Sequence, residues 1–181
     1  MRNKRGFISI VMFFGLLFMI LIIGFMGAMI FGIIDFASDE ITPIMEDLGV
    51  VGGANVSEAS EFTFGAVDKT INAMSWIIGF AYVLALMFSV VFAISYSFNP
   101  NPVYIGLYFM FIVLLIFGAI VVSNMYEDIY TGTDEIAERL QEQTLLSYML
   151  LHSPIILTLI ASITGIYIFA RREESAGSFG V

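Results

Sequence analysis

The chain contains no cysteine, which excludes disulfides, thiolate metal sites and cysteine nucleophiles and leaves the redox compartment open. It contains one histidine, His152, so a bis-histidine haem or a zinc site would need a second copy or another protein. HExxH, P-loop and G-x-S-x-G motifs are absent. Charged residues make up 13%, against about a quarter in ordinary soluble domains. No Asp, Glu, Lys or Arg lies well inside a long apolar run. Ionisable groups within a membrane cost about 2.5–3.5 kcal/mol each on insertion scales, and they mark ion-coupled transporters, pumps and voltage sensors. Their absence argues against those classes, while pores lined by backbone or hydroxyl groups stay open. Ser153, Thr158, Ser162 and Thr164 have no neighbouring base and read as packing hydroxyls. The reading is therefore no enzyme, no cofactor, no resident metal, no nucleic acid and no small-molecule substrate.

What is abundant is apolar surface. Hydrophobic residues make up 59%, with 18 Phe and 11 Met, and mean hydropathy is +0.94. A soluble core of this size cannot hide so much, so lipid must cover much of it. The net charge of −9 is concentrated. Asp35 to Lys69 holds eight acids and one base, and Glu127 to Glu142 holds six acids and one base. Bases mark the two ends, with Arg2, Lys4 and Arg5 at one and Arg171 and Arg172 at the other.

Four apolar runs are long enough to cross a bilayer: residues 7–34, 71–98, 103–124 and 145–170. The first, about 42 Å as a helix, exceeds a hydrocarbon core of about 30 Å and must tilt or protrude. It is also about twice a signal-peptide core, so a retained anchor is expected. Lys4-Arg5-Gly6-Phe7 resembles the processing site of a type IV prepilin. Val11 stands where that family has a glutamate, and three further apolar runs lie downstream, so no function is carried over.

Between the second and third runs lies Asn99-Pro100-Asn101-Pro102. Pro102 fits the first position of a helix with Asn101 as its cap, and Pro100 disfavours helix at Asn99. One kinked helix over 71–124 would be about 81 Å long, too long for one crossing. The expectation is a tight reversal between antiparallel spans, with Tyr96 and Tyr104 at the headgroups. The predicted fold is all-α, a single four-helix transmembrane domain over 1–181 with short helices in two outer segments, 35–70 and 125–144. Four crossings put both basic ends on one side, and the positive-inside rule makes it the cytoplasm. The acidic segments and the tyrosines and tryptophan Trp76, Tyr126, Tyr130 and Tyr148 then fall on the outer side. The arrangement is similar in topology to tetraspanins and claudins; their cysteine motifs are absent, and no function is carried over.

Within segment 35–70, Thr42-Pro43 reads as the start of a short helix that Gly49 stops. Gly49, Gly52 and Gly53 make the connection to the second run pliable. Asn55-Val56-Ser57-Glu58 resembles a capping box with Asn as the cap, and Asn55 also heads a glycosylation sequon. In the other segment, Ile136, Ala137, Leu140 and Thr144 share one face, which predicts a helix resting on the membrane surface or docking a partner. Pro154 is expected to kink the fourth run, with Ser153 satisfying a freed backbone group.

Small residues recur at four-residue spacing. They are Gly24, Ala28 and Gly32; Ala81, Ala85, Ser89, Ala93 and Ser97; and Ala161 and Gly165. Such stripes let backbones approach closely where lipid gives no hydrophobic drive. The expectation is packing within the monomer, the first run against the second, or against copies or other subunits. The functional expectation is a structural or organising membrane protein, either an accessory subunit of a larger complex or a component of a lipid-containing virion. The alternative is a pore-forming, holin-like or transport protein.

Overall fold

A computed structural model describes residues 3–95 and 102–176. Helix α1 (Asn3–Asp47) leads through a short hairpin, β1 (Val50–Val51) and β2 (Ala54–Asn55), into α2 (Val56–Ser95). Then come α3 (Pro102–Tyr130), α4 (Glu135–Glu142), α5 (Thr144–Leu151) and α6 (Ser153–Ala176).

Two helices are long and apolar enough to span a membrane by themselves: Phe7–Asp47 of α1 and Val103–Tyr130 of α3. The bent pair α5–α6 makes a third if counted as one span. In α2 the described apolar stretch, Trp76–Val91, is shorter. The protein is thus an all-helical integral membrane protein with two or three such spans among the described residues.

Helix α1 is a single 45-residue rod, not an anchor with a separate short helix after it. Pro43 sits inside it. Proline has no N–H, so the Asp39 carbonyl loses its helical donor. The Thr42 hydroxyl donates to the Ser38 carbonyl (2.7 Å) and caps nothing. The helix nevertheless continues to Asp47, and on the preceding turn Arg139 of α4 is paired with Asp35 and Asp39. The rod ends at Gly49, at φ 57°. Gly52 and Gly53, at φ 62° and 86°, then form the two-residue turn that closes the hairpin. Asn55 starts α2. Its Oδ1 accepts the Glu58 N–H (3.2 Å), and its Nδ2 donates to the Glu58 carboxylate (3.1 Å).

Helix α2 runs antiparallel to α1, with Tyr82 against Gly24 and Ile78 against Gly27. Helix α3 runs parallel to α1, with Phe111 stacked on Phe14 and Tyr126 edge-on to Phe25. Helix α6 runs antiparallel to α3. The core is one apolar seam: Ile10, Phe13, Leu17 and Leu21 of α1 are at most 1% exposed and recur at helical spacing. They meet Leu115 and Ala119 of α3, Leu146 and Leu150 of α5, and Leu157 of α6.

The expected continuous helix over 145–170 is broken. Helices α5 and α6 meet at 68° about His152. The break comes just before the kink expected at Pro154, because Pro154 has no N–H to offer the carbonyl one turn back. His152 closes α5 through its own N–H to the Tyr148 carbonyl (3.1 Å). Its carbonyl then accepts the N–H groups of Ile155 and Ile156 and opens α6.

Candidate functional site: polar supports at the helix breaks

Helix breaks inside apolar surroundings leave backbone carbonyls that must find donors, because lipid supplies none. Here side chains from neighbouring helices supply them. The Ser123 hydroxyl of α3 donates to the Leu151 carbonyl at the α5 end (2.7 Å). The Ser147 hydroxyl donates back to the Leu140 carbonyl (2.7 Å), spanning the break between α4 and α5. Ser147 has spent its proton, so the Tyr126 hydroxyl, 2.6 Å away, is the donor between them. The relay runs Tyr126 to Ser147 to Leu140, and Tyr126 and Leu140 are both fully buried. Lower in the bundle, the Tyr108 hydroxyl donates to the Ala161 carbonyl (2.7 Å). Aromatic rings enclose Tyr108: Phe13 is stacked at 6.4 Å, and Phe14 and Phe169 are edge-on at 5.0 and 5.4 Å. The hydroxyl of Ser153, by contrast, is fully buried and unpaired, so the support expected from it comes from Ser123 instead.

At the α4 end, one guanidinium sits among three carboxylates. Arg139 pairs with Asp39, lies 3.8 Å from Asp35, and lies 3.9 Å from Glu142 on its own helix. One turn away, the Gln143 amide nitrogen reaches across to the Ala28 carbonyl of α1 (3.3 Å), while its amide oxygen is buried without a partner. These contacts and the apolar face of α4 lock it to the bundle. Ala137 and Leu140 are at most 1% exposed, and Leu140 fills the space that Gly32 leaves open. The apolar face expected to lie on the membrane surface is therefore covered by the protein itself. Thr144, expected on that face, is exposed and begins α5.

The small residues singled out from sequence distribute unevenly. Gly24, Ala28 and Gly32 all lie on the buried face of α1, and Ala161 and Gly165 on that of α6. In α2, Ser89 and Ala93 are buried, Ala85 is half-buried and Ala81 is exposed. Ser89 donates to the Leu86 carbonyl of its own helix (2.7 Å). The glycines face large side chains: a Cβ on Gly24 would sit 2.6 Å from the Tyr82 ring, and one on Gly165 would sit 2.7 Å from the Tyr108 ring. Gly118 and Gly79, outside the stripes, accept Phe18 and Leu145 in the same way. Ser97, Asn99, Pro100 and Asn101 lie outside the described residues, and Pro102 is the first residue of α3. Asn55 is exposed, with its amide engaged in the α2 cap.

Sequence reasoning passed over Tyr82 and Tyr108 and set Tyr126 at the outer interface. The available signal was a tyrosine within an apolar run: buried there, the Tyr108 hydroxyl finds the Ala161 carbonyl, while that of Tyr82 is buried without a partner. Comparison with known proteins finds no matching protein family, no similar curated protein and no similar solved structure.

Proposed function

We propose that this chain is a structural, organising component of a larger membrane assembly, acting through lateral contacts of its helices. The observation that carries this reading is how the interior is used. The bundle centre is filled by Phe13, Leu17, Leu21, Leu150 and Leu157, each fully buried. The hydroxyls of Tyr108, Ser123 and Ser147 are spent on backbone carbonyls. The interior is thus mainly apolar packing among the described residues, which favours the outside as the working surface.

In this reading the chain crosses the bilayer four times, with both termini cytoplasmic and segments 35–70 and 125–144 outside. Support for the fourth crossing is that α2 lies beside the middle of α1's charge-free stretch, at Gly24 and Gly27. A bilayer around that part of α1 also surrounds Tyr82 and Ile78. Support for the orientation is the basic residues at both ends. The cysteine-free chain gives a clean test of topology. Cysteines replacing the exposed Glu46 and Thr133 should be labelled from outside intact cells, and one replacing Asn101 should not.

The functional test is the mass of the complex extracted gently from its native membrane, run beside solute flux from purified protein in liposomes. A defined complex of this chain with other subunits or with copies of itself, and no flux, is the expected result. A lone monomer that conducts solute would overturn the proposal in favour of a pore or transporter.

A further inference from the structure

Helix α1 is too long for the membrane. Its Phe7–Asp47 stretch has 41 residues, about 61 Å, against a hydrocarbon core of about 30 Å. The charged residues begin at Asp35, so the surplus projects at that end, beside the first turns of α2. The apolar stripe of α1 does not stop there. Ile34, Ala37, Ile41 and Ile44 of α1, with Leu48 just past its end, keep alternating three- and four-residue steps, the spacing of a seam that receives another helix. Ile41 is 43% exposed, Ile44 61% and Leu48 52%, and the hairpin tip continues the surface with Val50 at 69% and Val51 at 53%. Lipid covers such a stripe within the bilayer but not on a rod standing out of it.

Charge says what covers it. Glu40, Glu46, Asp47 and Glu58 are exposed around this arm and hold no ion pair among the described residues. The bases of the two acidic segments are Lys69 and Arg139, and Arg139 is held by Asp35 and Asp39. A second copy would bring carboxylates against carboxylates, and anionic lipid headgroups would be repelled as well. We infer that the arm formed by the ends of α1 and α2 docks a basic amphipathic segment of a different protein outside the bilayer. Apolar residues of that segment lie on Ile41, Ile44 and Leu48, and its Lys or Arg side chains face Glu40, Glu46 and Asp47. This interface is separate from the lateral contacts within the membrane.

The test uses the full chain in phosphatidylcholine nanodiscs and a fluorescent synthetic helical peptide with a leucine stripe flanked by lysines. Empty nanodiscs set the baseline. The peptide should bind saturably and more weakly as salt rises. Binding should fall about tenfold or more in the Ile41→Ser/Ile44→Ser/Leu48→Ser variant and by a similar factor in the Glu40→Gln/Glu46→Gln/Asp47→Asn variant. Both sets of changes lie on the projecting arm, so unchanged thermal unfolding confirms that the bundle is intact. Equal binding by either variant would overturn the inference. So would equal binding of a lysine peptide with its stripe scrambled, or of one with glutamate in place of lysine. Dimerisation of the native chain that the serine variant abolishes would assign the arm to a second copy instead. None of these outcomes depends on what the helices contact within the membrane, so the proposed function stands or falls separately.

Discussion

Replacing Gly24 by alanine is the sharpest test of how the bundle is packed. The added Cβ would lie 2.6 and 2.7 Å from Tyr82 Cε2 and Cδ2, with Leu150 Cδ2 at 3.6 Å. Comfortable carbon contacts lie near 3.5–4.0 Å, so the ring or the helix that carries it must shift by about 1 Å. The ring has little room to yield, because Tyr82 is only 5% exposed. Overpacking of this kind costs about 1–3 kcal/mol. Alanine's better helix propensity returns up to about 1 kcal/mol. Gly15→Ala is the control: the same propensity gain applies, and nothing lies within 4 Å of the new methyl. The two substitutions should therefore differ by about 1–3 kcal/mol, the cost of the clash. The measurement is unfolding in mixed micelles on titration with SDS, monitored by near-ultraviolet circular dichroism. Tyr82→Leu should relieve the clash, so the double-mutant cycle should give a coupling of about 1 kcal/mol or more. Equal shifts for Gly24→Ala and Gly15→Ala, or strict additivity with Tyr82→Leu, would refute the packing account.

The other predictions concern the polar supports. Ser147→Ala strips a donor from the Leu140 carbonyl and an acceptor from Tyr126, so it should destabilise by about 1–3 kcal/mol in the same titration. Tyr126→Phe leaves the bond from Ser147 to Leu140 intact and should cost less, about 0.5–1.5 kcal/mol; the reverse order would contradict the assigned direction of the relay. Ser123→Ala should loosen the end of α5 and raise hydrogen exchange at the amides of residues 150–156 while leaving the middle of α3 unchanged. Arg139→Ala should cost about 1–3 kcal/mol, because Asp35, only 16% exposed, loses the neighbouring guanidinium charge. Asp39→Asn should cost less, about 0–1 kcal/mol, and its effect should shrink in high salt because Asp39 is 42% exposed.

What the sequence disclosed and what it hid divide along a physical line. Asn55, Pro102 and Gly49 mark helix boundaries through chemistry within a few residues of themselves, and the structure has boundaries there. Thr42-Pro43 carries an equally good local start signal, yet α1 runs through it. The contacts this part of α1 makes come from Arg139, a hundred residues from Asp39 in sequence, and no local signal announces them. The stripe on α2 fails for a geometric reason. Four-residue steps on a helix of 3.6 residues per turn advance about 40° each, so Ala81 and Ala93 are about 120° apart. One is exposed and the other buried. Composition also marks glycines without saying what fills them, and here the fillers are Tyr82, Tyr108, Phe18 and Leu145.

The broken helices carry the same lesson further. The span from α5 to α6 is cut at His152, just after a first break at Gln143 ahead of it, yet its own residues look like one apolar run with a proline in it. It holds because a donor waits at each cut: Ser147 within the span, and Ser123 on α3. A serine in an apolar helix is weak evidence on its own. Its meaning appears only when the carbonyl it serves is known, and that carbonyl sits on another turn or another helix. The breaks and their supports therefore belong to one design. Helix α5 turns aside so that Leu146 and Leu150 enter the core, and the hydroxyls of α3 and α5 make that turn tolerable in an apolar medium.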